Sequence, residues 1–368
     1  MMRWAAAALA AFSWQCSACM FATGGLAVTG DASVARGRAA AGVIATPART
    51  IAEAMQRYDA ARPLIDAELG RDVAADFRRR LFDDAERPNL PGPENYAPAD
   101  WAESVASIMK LDLEAVDQLV AGTPAPLRRT LGLHEFFVPS RVDRTWQLVA
   151  IYVPPSAMAQ RAPLAIVLHG NPQTEAQLLG PPVLRRLADR TGTILVAPYG
   201  RGIYDYAEPA ATDVYDLLGT VQDAFAADRG RTYLTGYSMG GFSVFKIGPR
   251  GGYRWSAVMC ISGAILNSGV RPVSIAWKDM RLYVVTGAHD DSIPAEYGEQ
   301  TAAYLAGLGL AVSFYEEPKG THALRTLAPS LERAWDDMHA SLTRAENVPV
   351  ARAGFALPGA APGAVAKP

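Results

Sequence analysis

Between about residues 50 and 131, apolar side chains recur every three or four positions, the spacing of helices with one buried face. Ile51 to Tyr58 and Val73 to Phe82 carry it, and Pro88-Asn89-Leu90-Pro91-Gly92-Pro93 interrupts it. Asp100 is placed to cap a helix running from Trp101 to Met109, and Asp112 to start another running to about Val120. From Phe136 the texture changes to strands. Phe136–Val138 and Trp146–Val153 suit an antiparallel pair that Pro154-Pro155 ends. Short apolar runs follow at Leu164–Leu168, Ile194–Ala197, Tyr233–Thr235, Ala257–Ile261, Leu282–Val285 and Val312–Tyr315, separated by helical or loop segments. That alternation predicts an α/β fold with a mostly parallel sheet covered by helices on both faces.

The ends read differently. Residues 1–30 open Met1-Met2-Arg3-Trp4, continue through an apolar run and pass into small residues, which resembles a secretory signal peptide. This predicts export to the periplasm or medium, with a cytoplasmic location as the alternative. Ser17-Ala18-Cys19 also echoes the end of a lipoprotein cleavage site, although Cys16 stands where an aliphatic residue is usual. Later stretches fall short of the roughly 18 to 20 apolar residues that a membrane span requires. Residues 50–131 are read as a helical N-terminal region, packed on the main domain or serving as a lid, and 132–345 as the catalytic domain. The tail, 346–368, places Pro349, Pro358, Pro362 and Pro368 among Ala and Gly and is expected to be disordered.

Composition narrows the functional classes. The 368 residues are 50% hydrophobic and 20% charged, with a formal net charge of −2, so a large core is available and no basic block marks a nucleic-acid partner. The three cysteines imply no disulfide framework. Cys16 and Cys19 have redox spacing without the βαβ setting that gives it meaning, and Cys260 falls in a predicted buried strand. There is no Cys/His cluster of metal-binding type.

The chemistry centres on Gly236-Tyr237-Ser238-Met239-Gly240, between the run Thr232–Thr235 and an apolar helical stretch. Gly-x-Ser-x-Gly at a strand-to-helix turn holds the serine in a strained conformation, with its hydroxyl beside a helix N-terminus. A serine hydroxyl is a weak nucleophile until a base takes its proton and a third group orients that base. In hydrolases built on this elbow the chain order is Ser, Asp or Glu, then His. Of the three later histidines, His322 lies in a small loop, Lys319 to Ala323, before a last helix from about Leu327 to Leu342, where the base is expected. His339 falls inside that helix and is read as a surface or packing residue, and His289 adjoins the expected acid. The acid comes from Gly287-Ala288-His289-Asp290-Asp291-Ser292-Ile293-Pro294. The usual spacing, three residues after the glycine and four before the proline, selects Asp290, with Asp291 as the alternative. Two N–H groups should face the oxyanion, from Met239 and from the loop His169 to Thr174, where Asn171 is the expected donor and His169 holds the loop. Tyr237 and Arg201 are expected to contact substrate, while Arg201 also has the alternative of bracing a loop through Asp205 or Asp213.

The segment from about Tyr152 to Met338 resembles the esterase and peptidase branch of the α/β-hydrolases, which includes polyhydroxybutyrate-depolymerase-like and feruloyl-esterase-like enzymes and prolyl-oligopeptidase-type catalytic domains. The matching pieces are Pro163 to Gly170, Ala197 to Gly202, Asp228 to Gly241, Gly287 to Asp290 with Pro294, and His322. Gly320-Thr321-His322 departs from the commoner Gly-Gly-His. The resemblance implies acyl transfer to water through a serine-bound intermediate, without metal or organic cofactor, on a small-molecule or polymeric ester. Peptidase action on short peptides is the second enzymatic reading, weakened because about 130 residues of N-terminal helix cannot supply a propeller. A non-catalytic binding protein of the same fold predicts a missing triad member, and none is missing.

Overall fold

The computed structural model describes residues 49–89, 98–122, 126–159, 161–202, 205–249, 255–265, 277 and 280–340. The expected signal peptide with Cys16 and Cys19, residues 90–93 of the breaker cluster and the tail from 346 lie outside these residues.

Four helices open the described chain: α1 (Ile51–Ala60), α2 (Arg62–Leu69), α3 (Arg71–Glu86) and α4 (Pro98–Ala121). The Thr50 side chain caps α1 by accepting the Glu53 N–H at 3.2 Å. Between α2 and α3 the chain turns at Gly70, whose φ of 80° strains any residue with a Cβ. The two helices predicted around Asp100 and Asp112 are one continuous helix, and this corrects the sequence reading. Asp112 caps nothing; it sits in mid-helix, buried, with its carboxylate against the Arg80 guanidinium of α3. Capping preference is a local effect of about 1 kcal/mol, and the buried face Ile108, Leu111, Ala115, Val116 and Leu119 continues at helical spacing across Asp112.

Eight strands follow: β1 (Gly132–Pro139), β2 (Trp146–Val153), β3 (Leu164–Leu168), β4 (Ile194–Pro198), β5 (Thr232–Tyr237), β6 (Ala257–Ile261), β7 (Arg281–Gly287) and β8 (Ala311–Glu317). They form one sheet in the order β1-β2-β4-β3-β5-β6-β7-β8. β2 runs antiparallel to both its neighbours and every other pair is parallel. Parallel neighbours need crossover helices, and these cover both faces. Helices α5 (Glu175–Leu179), α6 (Pro182–Thr191) and α10 (Ala328–Ala340) lie on one face. Helices α7 (Ala210–Ala224), α8 (Met239–Ile247) and α9 (Ala295–Gly307) lie on the other. Alternation along β3 divides the core: Leu164, Ile166 and Leu168 join Val214, Leu217 and Phe245 on one side, while Ala165 and Val167 join Leu187, Leu331 and Trp335 on the other. This is the α/β-hydrolase arrangement.

The N-terminal helices have their own apolar cluster, Tyr58, Ile65, Leu69, Phe77, Leu81 and Val116, closed against Phe137, Leu148 and Tyr199 of the main sheet region. No helix among the described residues is long and apolar enough to cross a membrane.

Candidate active site

β5 ends at the elbow. Ser238 has φ 55° and ψ −118°, a conformation that side-chained residues rarely adopt, and its N–H is anchored to the Ile261 carbonyl of β6 at 2.9 Å. The turn closes because Gly236 and Gly240 have no side chain: a Cβ on Gly236 would run into the Gly240 carbonyl, and one on Gly240 into the backbone of Leu168. Met239 is the first residue of α8, so its N–H has no partner within the helix and points to the end where anions are favoured.

Two neighbouring strands carry the rest. The loops after β7 and β8 are tied together by Ala288 N–H to Glu317 O at 3.0 Å and His289 N–H to Gly320 O at 2.8 Å. Asp290 and His322 are thereby brought face to face. His322 Nδ1 lies 2.8 Å from Asp290 Oδ2 and 3.0 Å from Oδ1, and His322 Nε2 lies 3.0 Å from Ser238 Oγ. Asp290 Oδ1 also accepts the N–H groups of Ser292 and Ile293 at 3.0 and 2.7 Å. Burial of the Asp290 carboxyl works against its charge, yet the hydrogen bonds from His322 and Ile293 outweigh it and hold the group below the usual range. It is a carboxylate poised to accept from Nδ1, which leaves Nε2 as the proton acceptor facing the serine. Asp291 and His289 are exposed and stand outside this chain of contacts.

The loop after β3 folds back over the elbow. A Cβ on Gly170 would lie 2.9 Å from Ser238 Cβ and 3.3 Å from the Tyr237 ring, so the backbone at 170 abuts Ser238. Asn171 follows it, exposed, through a cis peptide bond to Pro172. His169 is fully buried, with Nε2 2.8 Å from Tyr199 O and Nδ1 2.8 Å from Gly170 O. Its backbone N–H donates to the Tyr206 hydroxyl at 2.9 Å. Tyr206, 1% exposed, was not singled out in the sequence, because a tyrosine between loop residues carries no signal of its partner.

Two residues expected to touch substrate are engaged elsewhere. Arg201 is a brace: Nε donates to Asp213 at 2.7 Å, Nη1 to Asp143 at 2.6 Å and Nη2 to Ser140 at 3.0 Å. Of the two braces considered, Asp213 is the partner, while Asp205 pairs with Lys246. The Tyr237 hydroxyl donates to the His322 carbonyl at 2.6 Å, and its ring lies 5.3 Å from the imidazole, so it supports His322. His339 is a packing residue between Tyr233 and Trp335, with ring centroids 4.7 and 4.9 Å away. Among the described residues no group of His, Cys, Asp and Glu is arranged to hold a metal ion.

No family model matches the chain, and no curated protein matches it. Solved structures do match. A thermostable esterase is similar with a TM-score of 0.46 at 19% identity, over 57% of this chain and 62% of that one. An S-formylglutathione hydrolase from Agrobacterium tumefaciens gives 0.47 at 16%, over 60% and 99%. An acylaminoacyl peptidase from Pyrococcus horikoshii gives 0.43 at 17%, over 59% and 42%. This chain thus spans less than two thirds of the esterase and of the peptidase.

Proposed function

We propose that the protein is a serine hydrolase that cleaves carboxylic esters through a covalent acyl-enzyme. The observation that carries this reading is the unbroken line of hydrogen-bonding groups from Ser238 Oγ through His322 to the buried Asp290 carboxylate. Ser238 Oγ attacks the ester carbonyl as its proton passes to His322 Nε2, and Asp290 holds the ring and balances the imidazolium charge. The N–H groups of Met239 and Asn171 face the developing oxyanion. Collapse expels the alcohol, which takes the proton from His322. Water, activated by the same imidazole, then releases the acid and restores Ser238. No step needs a metal or organic cofactor.

Hydrolysis of p-nitrophenyl esters from acetate to long acyl chains tests the reading. Ser238→Ala is expected to lower kcat by about four to six orders of magnitude, because nucleophile and base act as a unit. Asp290→Asn should lower it ~10⁴-fold by favouring the wrong imidazole tautomer, while Asp291→Asn keeps wild-type rates. Activity retained in folded Ser238→Ala would overturn the assignment. A wild type inert to esters but active on peptide amides would replace the substrate class and keep the mechanism.

A further inference from the structure

Beneath the loop that carries Asn171 lies a buried ionic cluster which the proposed chemistry does not use. The Arg80 guanidinium of α3, 4% exposed, pairs with Asp112 of α4 and with Glu175, both fully buried. Burial works against the Arg80 charge and the carboxyl groups of Asp112, Glu175 and Glu135 more than restore it, while burial pushes the carboxyls of Asp112 and Glu135 well above the ordinary carboxylate range.

Glu175 is the first residue of α5, which begins where the loop ends. A short relay joins the two. Gly170 N–H donates to Gln173 Oε1 at 3.4 Å, and Gln173 Nε2 donates to Gln177 O at 3.1 Å. Thr174 and Gln177 close a reciprocal capping box at 3.3 Å in each direction. Helix α5 is only five residues long, too short to hold its own orientation. Its apolar residues Ala176, Leu178 and Leu179 are buried in the core, and the ion pair of its first residue with α3 is the polar tie at the end that meets the loop. A second link from α3 reaches the same loop: the Tyr199 hydroxyl donates to Asp76, and the Tyr199 carbonyl faces His169 Nε2 at 2.8 Å.

We propose that Arg80 is a positioning residue for the oxyanion loop, so that the N-terminal helical layer is part of the catalytic apparatus and not a lid. By clamping Glu175 it fixes the start of α5, and through the capping box and Gln173 the backbone from Gly170 to Thr174. A guanidinium suits the task because its planar fork bridges carboxylates of two different helices, which an ammonium does less well. The inference rests on the hydrolase reading.

The test compares Arg80→Met, Arg80→Lys and Glu175→Gln with the wild type. Each is assayed for p-nitrophenyl ester kinetics, affinity for an alkylboronic acid that forms a tetrahedral serine adduct, and hydrogen exchange across 169–179. Arg80→Met is expected to lower kcat ~10- to 100-fold, as an ångström-scale displacement of a catalytic group does, with KM within about 3-fold. Boronate affinity should fall in step with kcat, and amides of 169–179 should exchange faster than those of β5. Arg80→Lys should recover part of the loss. Should Arg80→Met not fold, Glu175→Gln, which keeps volume and leaves Arg80 with Asp112, is expected to move the same quantities by roughly 3- to 10-fold. Folded variants with lower melting temperature but wild-type kcat, boronate affinity and loop exchange overturn the proposal. A wild type that neither hydrolyses esters nor reacts with a fluorophosphonate overturns the hydrolase reading instead, and the loop exchange then reports the clamp by itself.

Discussion

At the scale of single residues, contacts beyond Ser238, Asp290 and His322 hold the site. The Tyr237 hydroxyl, donating to the His322 carbonyl at 2.6 Å, fixes the backbone at His322. A hydrogen bond of this kind contributes about 0.5–1.5 kcal/mol net, equivalent to roughly 2- to 10-fold in rate if it is felt only in the transition state. Tyr237→Phe is therefore expected to lower kcat by that factor with KM unchanged. A rise in KM at constant kcat would instead make Tyr237 a substrate contact, as the sequence first suggested. That Ser238, Asp290 and His322 would meet was legible, because a strained elbow permits few residues around it and the topology fixes which loops reach it. The Arg201 brace to Asp213 was legible as one of two readings, whereas Arg80 and Tyr206 were not. A guanidinium in the Arg78-Arg79-Arg80 run reads as a solvated face, and only the carboxylates opposite reveal that Arg80 is buried.

At the scale of elements, α10 seals the sheet beside the loops that carry Asp290 and His322. Trp335 and Met338 are fully buried, and His339 Nε2 lies 2.7 Å from the Thr193 hydroxyl. Burial lowers His339 to about 4, against about 6.5 in the unfolded chain. Between those values the unfolded chain binds a proton that the folded protein refuses, so stability declines as pH falls through the window and is complete above it. The effect amounts to about 3 kcal/mol at most. Urea midpoints measured from pH 7 to pH 4 should fall more steeply for the wild type than for His339→Gln. Parallel curves would show that the ring is solvated. Each of the eight strands was legible from its apolar run, since a sheet covered on both faces demands continuous hydrophobicity. The break placed at Asp112 was not there, because a local capping signal is weaker than the apolar face that runs through it from Ile108 to Leu119.

At the scale of the whole molecule, the helical layer and the sheet share both a core and a charge network. Phe77, 2% exposed, packs in the cluster that contains Phe137, Leu148 and Tyr199, while Arg80 joins α3 to α4 and α5. Separating the two parts would expose those aromatic and aliphatic faces and strand buried carboxylates without their cation. The expectation is a single cooperative unfolding transition: far-UV circular dichroism and fluorophosphonate labelling of Ser238 should be lost at the same urea concentration. Phe77→Ala, far from the nucleophile in sequence, should destabilise both readouts together by about 3–5 kcal/mol. An early loss of helical signal with labelling intact would mean that the helices unfold as an independent unit. It would also remove the rigid base that the proposed clamp on residues 170–174 requires.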